Sequence, residues 1–153
     1  MPLRLNLAHI PETSLDTMAP KRGSARSELN AVRKTVLDYL ESCYSWEGSR
    51  MKRALHPKLA KRFAWTDPKT GRTRLYQYTA ARLVRDVQAG WGRRKAGAKR
   101  TPMAERRAEI KILDRFKDMA VVRTAAAWGI DYISLAKVNG NWKILNVLWR
   151  TWK

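Results

Sequence analysis

Three side chains in this sequence have the chemistry of general acids, bases or hydrogen-bond donors: Tyr39, His56 and Asp131. A general acid or base needs a group whose pKa lies close to the working pH. Histidine titrates near about 6.5 without any perturbation, and His56 is the only histidine after residue 26. One hypothesis is therefore an enzyme of the isomerase, dehydratase or hydrolase type, in which Asp131 orients His56 and Tyr39 assists.

Two of these residues have an equally ordinary structural explanation, and both explanations stay open. His56 precedes Pro57, so its ring could fix the turn there through a hydrogen bond to a backbone carbonyl. Asp131 could form an ion pair, since buried carboxylates are usually paired. The chain has 32 Lys and Arg residues against 13 Asp and Glu residues, so a cationic partner is always at hand.

Aromatic residues provide a second kind of candidate site. The chain has seven Trp and five Tyr residues, and their rings could stack on a flat or apolar ligand such as a pteridine. Pockets lined by aromatic and apolar groups with few polar groups are the usual ligand sites. The alternative is that these rings fill the core and a dimer interface. The candidate ligand-binding residues are Tyr39, Cys43, Trp46, His56, Trp65, Tyr78, Asp131, Tyr132 and Trp149.

Several classes of site have no support in the sequence. It contains no His-x-x-His, no cysteine pair and no Gly-rich phosphate loop, so we expect neither a metal nor a cofactor. Cys43 is the single cysteine, which suits a reducing cytoplasm. No stretch approaches the roughly 20 apolar residues that span a bilayer, and the N-terminal residues lack the apolar core of a signal peptide. We therefore expect a cytoplasmic protein without a membrane partner.

Helical periodicity predicts three helices that would position these side chains. Ser27 is a good N-cap for the first, which presents apolar residues at i, i+3, i+4 and i+7. Ser49 caps a short helix to about residue 55, and Pro57 stops it. Thr79 caps a third helix that ends by Gly90. The predicted inward face of the first helix comprises Leu29, Val32, Val36, Tyr39, Leu40 and Cys43.

Alternating and apolar runs predict strands at residues 59–66, 75–78, 108–117, 119–128, 132–138 and 142–151. Asn139-Gly140 between the last two is the strongest short hairpin signal, since both residues tolerate positive φ. In the last strand Trp142, Ile144, Asn146 and Leu148 would share one face, and Leu145, Val147 and Trp149 the other. Both faces are largely apolar, so both should be covered, and we expect a homodimer through the sheet.

Four separated motifs resemble one known family. Asp131-Tyr-x-x-Leu-x-Lys-Val-x-Gly-x-Trp-Lys-Ile-x-Asn146 is similar to the end of the "putative lumazine-binding" proteins of the NTF2-like superfamily. Val-Leu-Asp-Tyr-Leu-Glu at 36–41 is similar to the first helix of that family. Glu-Gly-Ser-Arg-Met at 47–51 and Ala-Leu-His-Pro-Lys-Leu-Ala-Lys-Arg at 54–62 resemble its short second helix and the His-Pro after it.

The resemblance implies an α+β fold, the NTF2-like cone, in which three N-terminal helices pack on a strongly bent antiparallel sheet. It also implies a pocket between sheet and helices, bordered by Tyr39, His56 and Asp131. Tyr39 looks placed like the tyrosine that holds an enolate oxygen in the steroid-isomerase branch. The carboxylates of that branch are not matched, and a scytalone-dehydratase-like scheme would need a second histidine. Non-covalent binding of a small molecule is therefore favoured over catalysis.

The charge and the N-terminal residues complete the sequence-based picture. The 153 residues carry a formal net charge of +19, with five basic residues in the run 93–100. No nucleic-acid-binding motif accompanies this charge, so only non-specific attraction of polyanions is expected. Residues 1–26 are predicted to form a flexible extension, and residues 27–153 the NTF2-like domain.

Overall fold

The computed structural model describes residues 22–90, 106 and 108–152. The predicted extension up to residue 21 and the basic run 93–100 lie outside the described residues. The helices are α1 (Arg22–Ser45), α2 (Gly48–Ala54) and α3 (Ala80–Gln88). The strands are β1 (Leu55–Thr66), β2 (Thr73–Thr79), β3 (Ala108–Phe116), β4 (Met119–Ala126), β5 (Gly129–Val138) and β6 (Asn141–Thr151).

The strands form one curved, unclosed sheet in the order β2-β1-β6-β5-β4-β3, with helices packed against it. This confirms the predicted α+β cone. One pairing departs from the predicted antiparallel sheet, because β1 runs parallel to β6. The other four pairings are antiparallel. Strand direction at a non-local pairing depends on how the chain returns to the sheet, which local sequence does not encode.

The hairpin between β5 and β6 is confirmed. Asn139 has φ 49° and Gly140 has φ 80°, the left-handed conformations that a two-residue type I′ turn requires. A β-bulge follows on β6, because Ser134 pairs with Asn146 but Leu135 pairs with Ile144. The extra residue, Leu145, is left without a partner across the strand pair.

This bulge corrects the predicted faces of the last strand. An extra residue reverses the in–out alternation beyond it. Trp142 and Ile144 are therefore buried together with Val147, whereas Leu148 is 57% exposed. Strict alternation predicted two apolar faces. The strand instead has one buried face, formed by even-numbered residues before the bulge and by odd-numbered residues after it.

The helices follow the predicted pattern with three corrections. Helix α2 begins at Gly48, so Ser49 lies inside it rather than capping it. Leu29, predicted on the inward face of α1, is 38% exposed. Helix α1 begins at Arg22, so Ser27 lies inside the helix rather than capping it. Its buried face contains Val32, Val36, Tyr39 and Leu40. The cap of α3 is confirmed, since Thr79 Oγ1 accepts a hydrogen bond of 3.2 Å from the backbone N–H of Arg82. None of the helices in the described part of the chain is long and apolar enough to cross a membrane.

Candidate functional site

One row of side chains crosses the sheet beneath α1. Thr124 of β4 pairs with Asp131 of β5, and Asp131 pairs with Trp149 of β6. Residues that pair directly across strands lie on the same face of a sheet. Phe63 of β1 continues the row, with its ring centroid 4.8 Å from that of Trp149, and stacks on Tyr76 of β2 at 4.9 Å.

Asp131 is the polar centre of this row and has no solvent exposure. Its Oδ2 accepts hydrogen bonds from Tyr39 Oη at 3.3 Å, Thr124 Oγ1 at 3.4 Å and Trp128 Nε1 at 3.4 Å. Its Oδ1 lies 3.7 Å from Lys61 Nζ. Helix α1, strands β1 and β4 and the β4–β5 connection therefore supply the groups around one buried carboxylate, and the ion-pair explanation of Asp131 is confirmed.

Lys61 is the functional candidate that the sequence analysis missed. Although it is a lysine, only 3% of its surface is exposed. Its Nζ donates a hydrogen bond of 2.5 Å to Tyr39 Oη and lies 4.8 Å from the centroid of the Trp149 ring. The sequence of β1 contained a signal for this. Lys61 is two residues from both Leu59 and Phe63, and residues two apart in a strand lie on the same face, so Lys61 shares a face with these apolar residues.

The titration behaviour of the cluster favours hydrogen bonding over nucleophilic chemistry. Burial, followed by the neighbouring Asp131 carboxylate, raises the pKa of Tyr39 well above its ordinary value, so its hydroxyl stays neutral. Burial also raises the pKa of the Cys43 thiol to about 12, with Lys61 opposing and Asp131 adding to the shift. Cys43 is therefore a thiol at neutral pH, and the thiolate is the reactive form.

Two buried polar atoms of the row have no hydrogen-bond partner among the described residues: Asp131 Oδ1 and Trp149 Nε1. Most buried polar atoms in folded proteins are hydrogen-bonded, so each exception calls for an explanation. One of the two is an acceptor and the other a donor, and they belong to directly paired residues. Such a pair is complementary to a molecule that carries a donor and an acceptor side by side.

His56 lies in a different environment from this cluster. The pairing of β1 with β6 is irregular between Leu55 and Ala60, and His56 falls within that segment. Its Nδ1 accepts a hydrogen bond of 3.1 Å from the backbone N–H of Lys58. The ring thus fixes the local turn, although through an amide rather than the carbonyl that we expected. No hydrogen bond or ion pair among the described residues joins His56 to Asp131.

The remaining predicted site residues divide between the cluster and the surface. The Tyr78 ring lies 6.2 Å from Phe63, beside the row. Tyr132 follows Asp131 along β5 and so lies on the opposite face, where it is 49% exposed. Trp65 is 42% exposed and lines a separate cavity. Trp46 directly follows α1 and has a left-handed conformation, with φ 62°.

None of five cavities among the described residues is lined by Tyr39, Lys61 or Asp131, although Phe63 lines one of them and Trp149 lines another. Metal binding was not expected from the sequence. Over residues 22–90, 106 and 108–152, no three His, Cys, Asp or Glu side chains cluster in a way that could hold a metal ion.

Comparison with known proteins supports the fold. Similar solved structures include an NTF2-like protein of unknown function from Shewanella baltica OS155, at 17% identity and TM-score 0.67, covering 88% of this chain and 99% of that one. Another, from Silicibacter pomeroyi DSS-3, has 13% identity and TM-score 0.64, covering 83% and 98%. A putative scytalone dehydratase from Novosphingobium aromaticivorans DSM 12444 has 16% identity and TM-score 0.60, covering 87% and 89%.

At these identities the structural likeness shows the fold alone. The comparison with curated proteins gives no match. The family model described as "Putative lumazine-binding" matches residues 27–150, which is most of the chain. The chain therefore belongs to the putative lumazine-binding family and has the NTF2-like fold.

Proposed function

We propose that this protein binds a small, flat heterocycle non-covalently, beside Asp131 and Trp149. The observation that carries the proposal is a pair of buried atoms that have no hydrogen-bond partner among the described residues, the Nε1 of Trp149 and the Oδ1 of Asp131, which lies 3.7 Å from Lys61 Nζ. An unsatisfied buried polar group costs about 1–3 kcal/mol. A ligand that donates to Asp131 Oδ1 and accepts from Trp149 Nε1 would form the hydrogen bonds that these atoms lack, whereas an apolar ligand would not.

The chemistry of the two atoms indicates the ligand class. A ring edge with adjacent N–H and C=O groups would donate to Asp131 Oδ1 and accept from Trp149 Nε1. Lactam and imide edges, such as those of the pteridine dione lumazine, have this pattern. Two further rings are available for stacking. The ring centroid of Phe63, in the row, lies 4.8 Å from that of Trp149, and the centroid of Tyr78, beside the row, lies 6.2 Å from that of Phe63. Aromatic stacking adds about 0.5–1.5 kcal/mol beyond the area buried.

Catalysis is the alternative that remains, and its support is narrower. Tyr39 and Asp131 are in contact at 3.3 Å, as an enzyme of the isomerase or dehydratase type would use them. His56, which would supply the group that titrates near neutrality, has its described hydrogen bond within its own turn. Burial keeps the Tyr39 hydroxyl and the Cys43 thiol protonated. Binding therefore ranks above catalysis in this proposal.

Calorimetric titration with lumazine tests the binding proposal. Trp149→Phe keeps an aromatic ring but removes the N–H donor, so lumazine affinity should fall about 2- to 12-fold, the worth of one hydrogen bond. Trp65→Phe is the matched control, because it removes the same group from a partly exposed tryptophan outside the row. The proposal fails if the wild-type protein does not bind lumazine, or if the two variants bind it equally well.

A further inference from the structure

One of the five cavities lies between α2 and α3, beside the start of β1. Its volume is about 630 Å³, within the range of about 300–1,000 Å³ that is usual for small-molecule sites. Leu55, Pro57, Ala80 and Val84 form an apolar floor. Leu55 and Ala80 belong to the buried core, so the floor is anchored in the rest of the structure.

The two helices that form the walls are held close together. A Cβ atom added to Gly48 at the start of α2 would come within 2.1 Å of Gln88 Cγ at the end of α3. A side chain at position 48 would have to displace the Gln88 side chain, so glycine allows Gln88 to pack directly on the start of α2. Gln88 is itself part of the lining, so the cavity is built into the packing of α2 on α3.

The charged residues of the lining all have the same sign. Lys52, Arg85 and Lys143 are cationic, and none of the described residues in the lining is acidic. Lys143 Nζ donates a hydrogen bond of 2.5 Å to the carbonyl oxygen of Arg53, which holds the ammonium at the end of α2. Arg85 Nε forms a long ion pair with Asp86 Oδ1 at 3.9 Å, and the guanidinium carries five N–H donors, so it can also hold a second anion.

We propose that this cavity binds a medium-chain alkyl carboxylate. The apolar floor would cover the alkyl chain, and the cationic rim would hold the carboxylate. Neutral apolar molecules would leave the three cations unused, and small inorganic anions would leave the floor unused. The site shares no lining residue with the row around Asp131, so it would operate independently of heterocycle binding.

Calorimetry with hexanoate, octanoate and decanoate tests this proposal below the concentrations at which these compounds form micelles. Affinity should rise about two- to fourfold for each added methylene, as expected when the chain enters an apolar site. Octanol, which has the chain without the charge, should bind at least tenfold more weakly than octanoate. Equal binding of octanol and octanoate, or no dependence on chain length, would overturn the proposal.

The net charge of +19 makes matched controls essential, because any anion is attracted to such a protein. Lys52→Ala combined with Arg85→Ala removes two charges at the rim, and Arg72→Ala combined with Arg74→Ala removes two from β2 and its turn. Only the first pair should weaken octanoate binding, by tenfold or more. Equal weakening by both pairs would show general charge attraction and refute the site.

A filling substitution provides an independent readout. Ala81 lines the cavity from an exposed position on α3, so Ala81→Phe should occupy part of it without disturbing the core. Octanoate binding should be lost, while lumazine binding and thermal stability stay unchanged. Undiminished octanoate binding by this variant would exclude the cavity as the site.

Discussion

At the scale of single residues, the centre of the molecule is a buried ion pair with a phenol between its partners. Lys61 and Asp131 are 3% and 0% exposed, and Tyr39 Oη is hydrogen-bonded to both. Tyr39 could be selected from the sequence because of its predicted position on the inward face of the first helix, and Asp131 because of its carboxylate and its place in the family motif. Lys61 was not selected, since lysine is almost never fully buried unless it is paired. Its partner lies 70 positions away in the chain.

Removing Lys61 should be costly because it leaves the Asp131 charge buried without a cation. Breaking a buried ion pair from one side typically costs about 3–5 kcal/mol. Lys61→Met should lower the free energy of unfolding by that amount in urea titrations. The exposed Lys58→Met is the control for loss of one charge from β1. Adding Asp131→Asn to Lys61→Met should recover part of the loss, and a Lys61→Met cost no larger than that of Lys58→Met would contradict the ion pair.

Stability should fall at alkaline pH partly because of Cys43. Its folded pKa, about 12, exceeds its ordinary value of 9.0. A raised folded pKa means that the stabilising contribution is complete below pH 9 and is lost as the pH rises toward 12. Urea unfolding of the wild type and of Cys43→Ala at pH 8 and pH 10.5 measures this effect. The wild type should lose more stability than Cys43→Ala, and equal losses would show that burial of the thiol does not contribute.

At the scale of elements, acidic residues of α1 fix the helix to its neighbours. Glu28 accepts hydrogen bonds from Lys137 Nζ at 2.6 Å and Trp142 Nε1 at 2.8 Å, on the two strands of the hairpin. Asp38 accepts one of 2.8 Å from Arg50 of α2. The helices and the hairpin were predictable because their signals are local. The bulge at Leu145 and the parallel pairing of β1 were not, since both arise from pairing between distant segments.

Glu28 should stabilise the docking of α1 on the hairpin. Its hydrogen bonds with Lys137 and Trp142 lower its pKa below the ordinary value of 4.5. A lowered folded pKa gives stability that is present above pH 4.5 and lost as the pH falls below it. Glu28→Ala should lower the free energy of unfolding by about 1–2 kcal/mol at pH 7, and by less at pH 3. The exposed Glu109→Ala is the control, and an equal effect of both variants would contradict this role.

At the scale of the whole molecule, the outer face of the sheet and the net charge point to partners. Val121, Tyr132 and Leu148 are 41%, 49% and 57% exposed on that face. Exposed apolar surface of this kind is typical of an interface, and we propose a homodimer through the sheet.

The charge of +19 leads us to propose weak nucleic-acid binding without sequence preference. Such binding should disappear in moderate salt.

Sedimentation velocity at micromolar concentration tests the proposed dimer. Leu148→Glu places a charge at the centre of the outer sheet face and should convert a dimer to a monomer. Leu37→Glu is the matched control, because Leu37 is 39% exposed on α1 rather than on the sheet. A wild-type protein that sediments as a monomer, or a Leu148→Glu variant that remains dimeric, would contradict the proposal.

The central claim is that the unpartnered atoms of Asp131 and Trp149 recognise a heterocycle. A crystal structure of the protein soaked with lumazine tests it most directly. The account predicts planar density beside the row, with a ring N–H within hydrogen-bond distance of Asp131 Oδ1 and a ring oxygen within that distance of Trp149 Nε1. A lumazine-soaked crystal in which ordered water satisfies both atoms and no ring density lies beside them would contradict the claim.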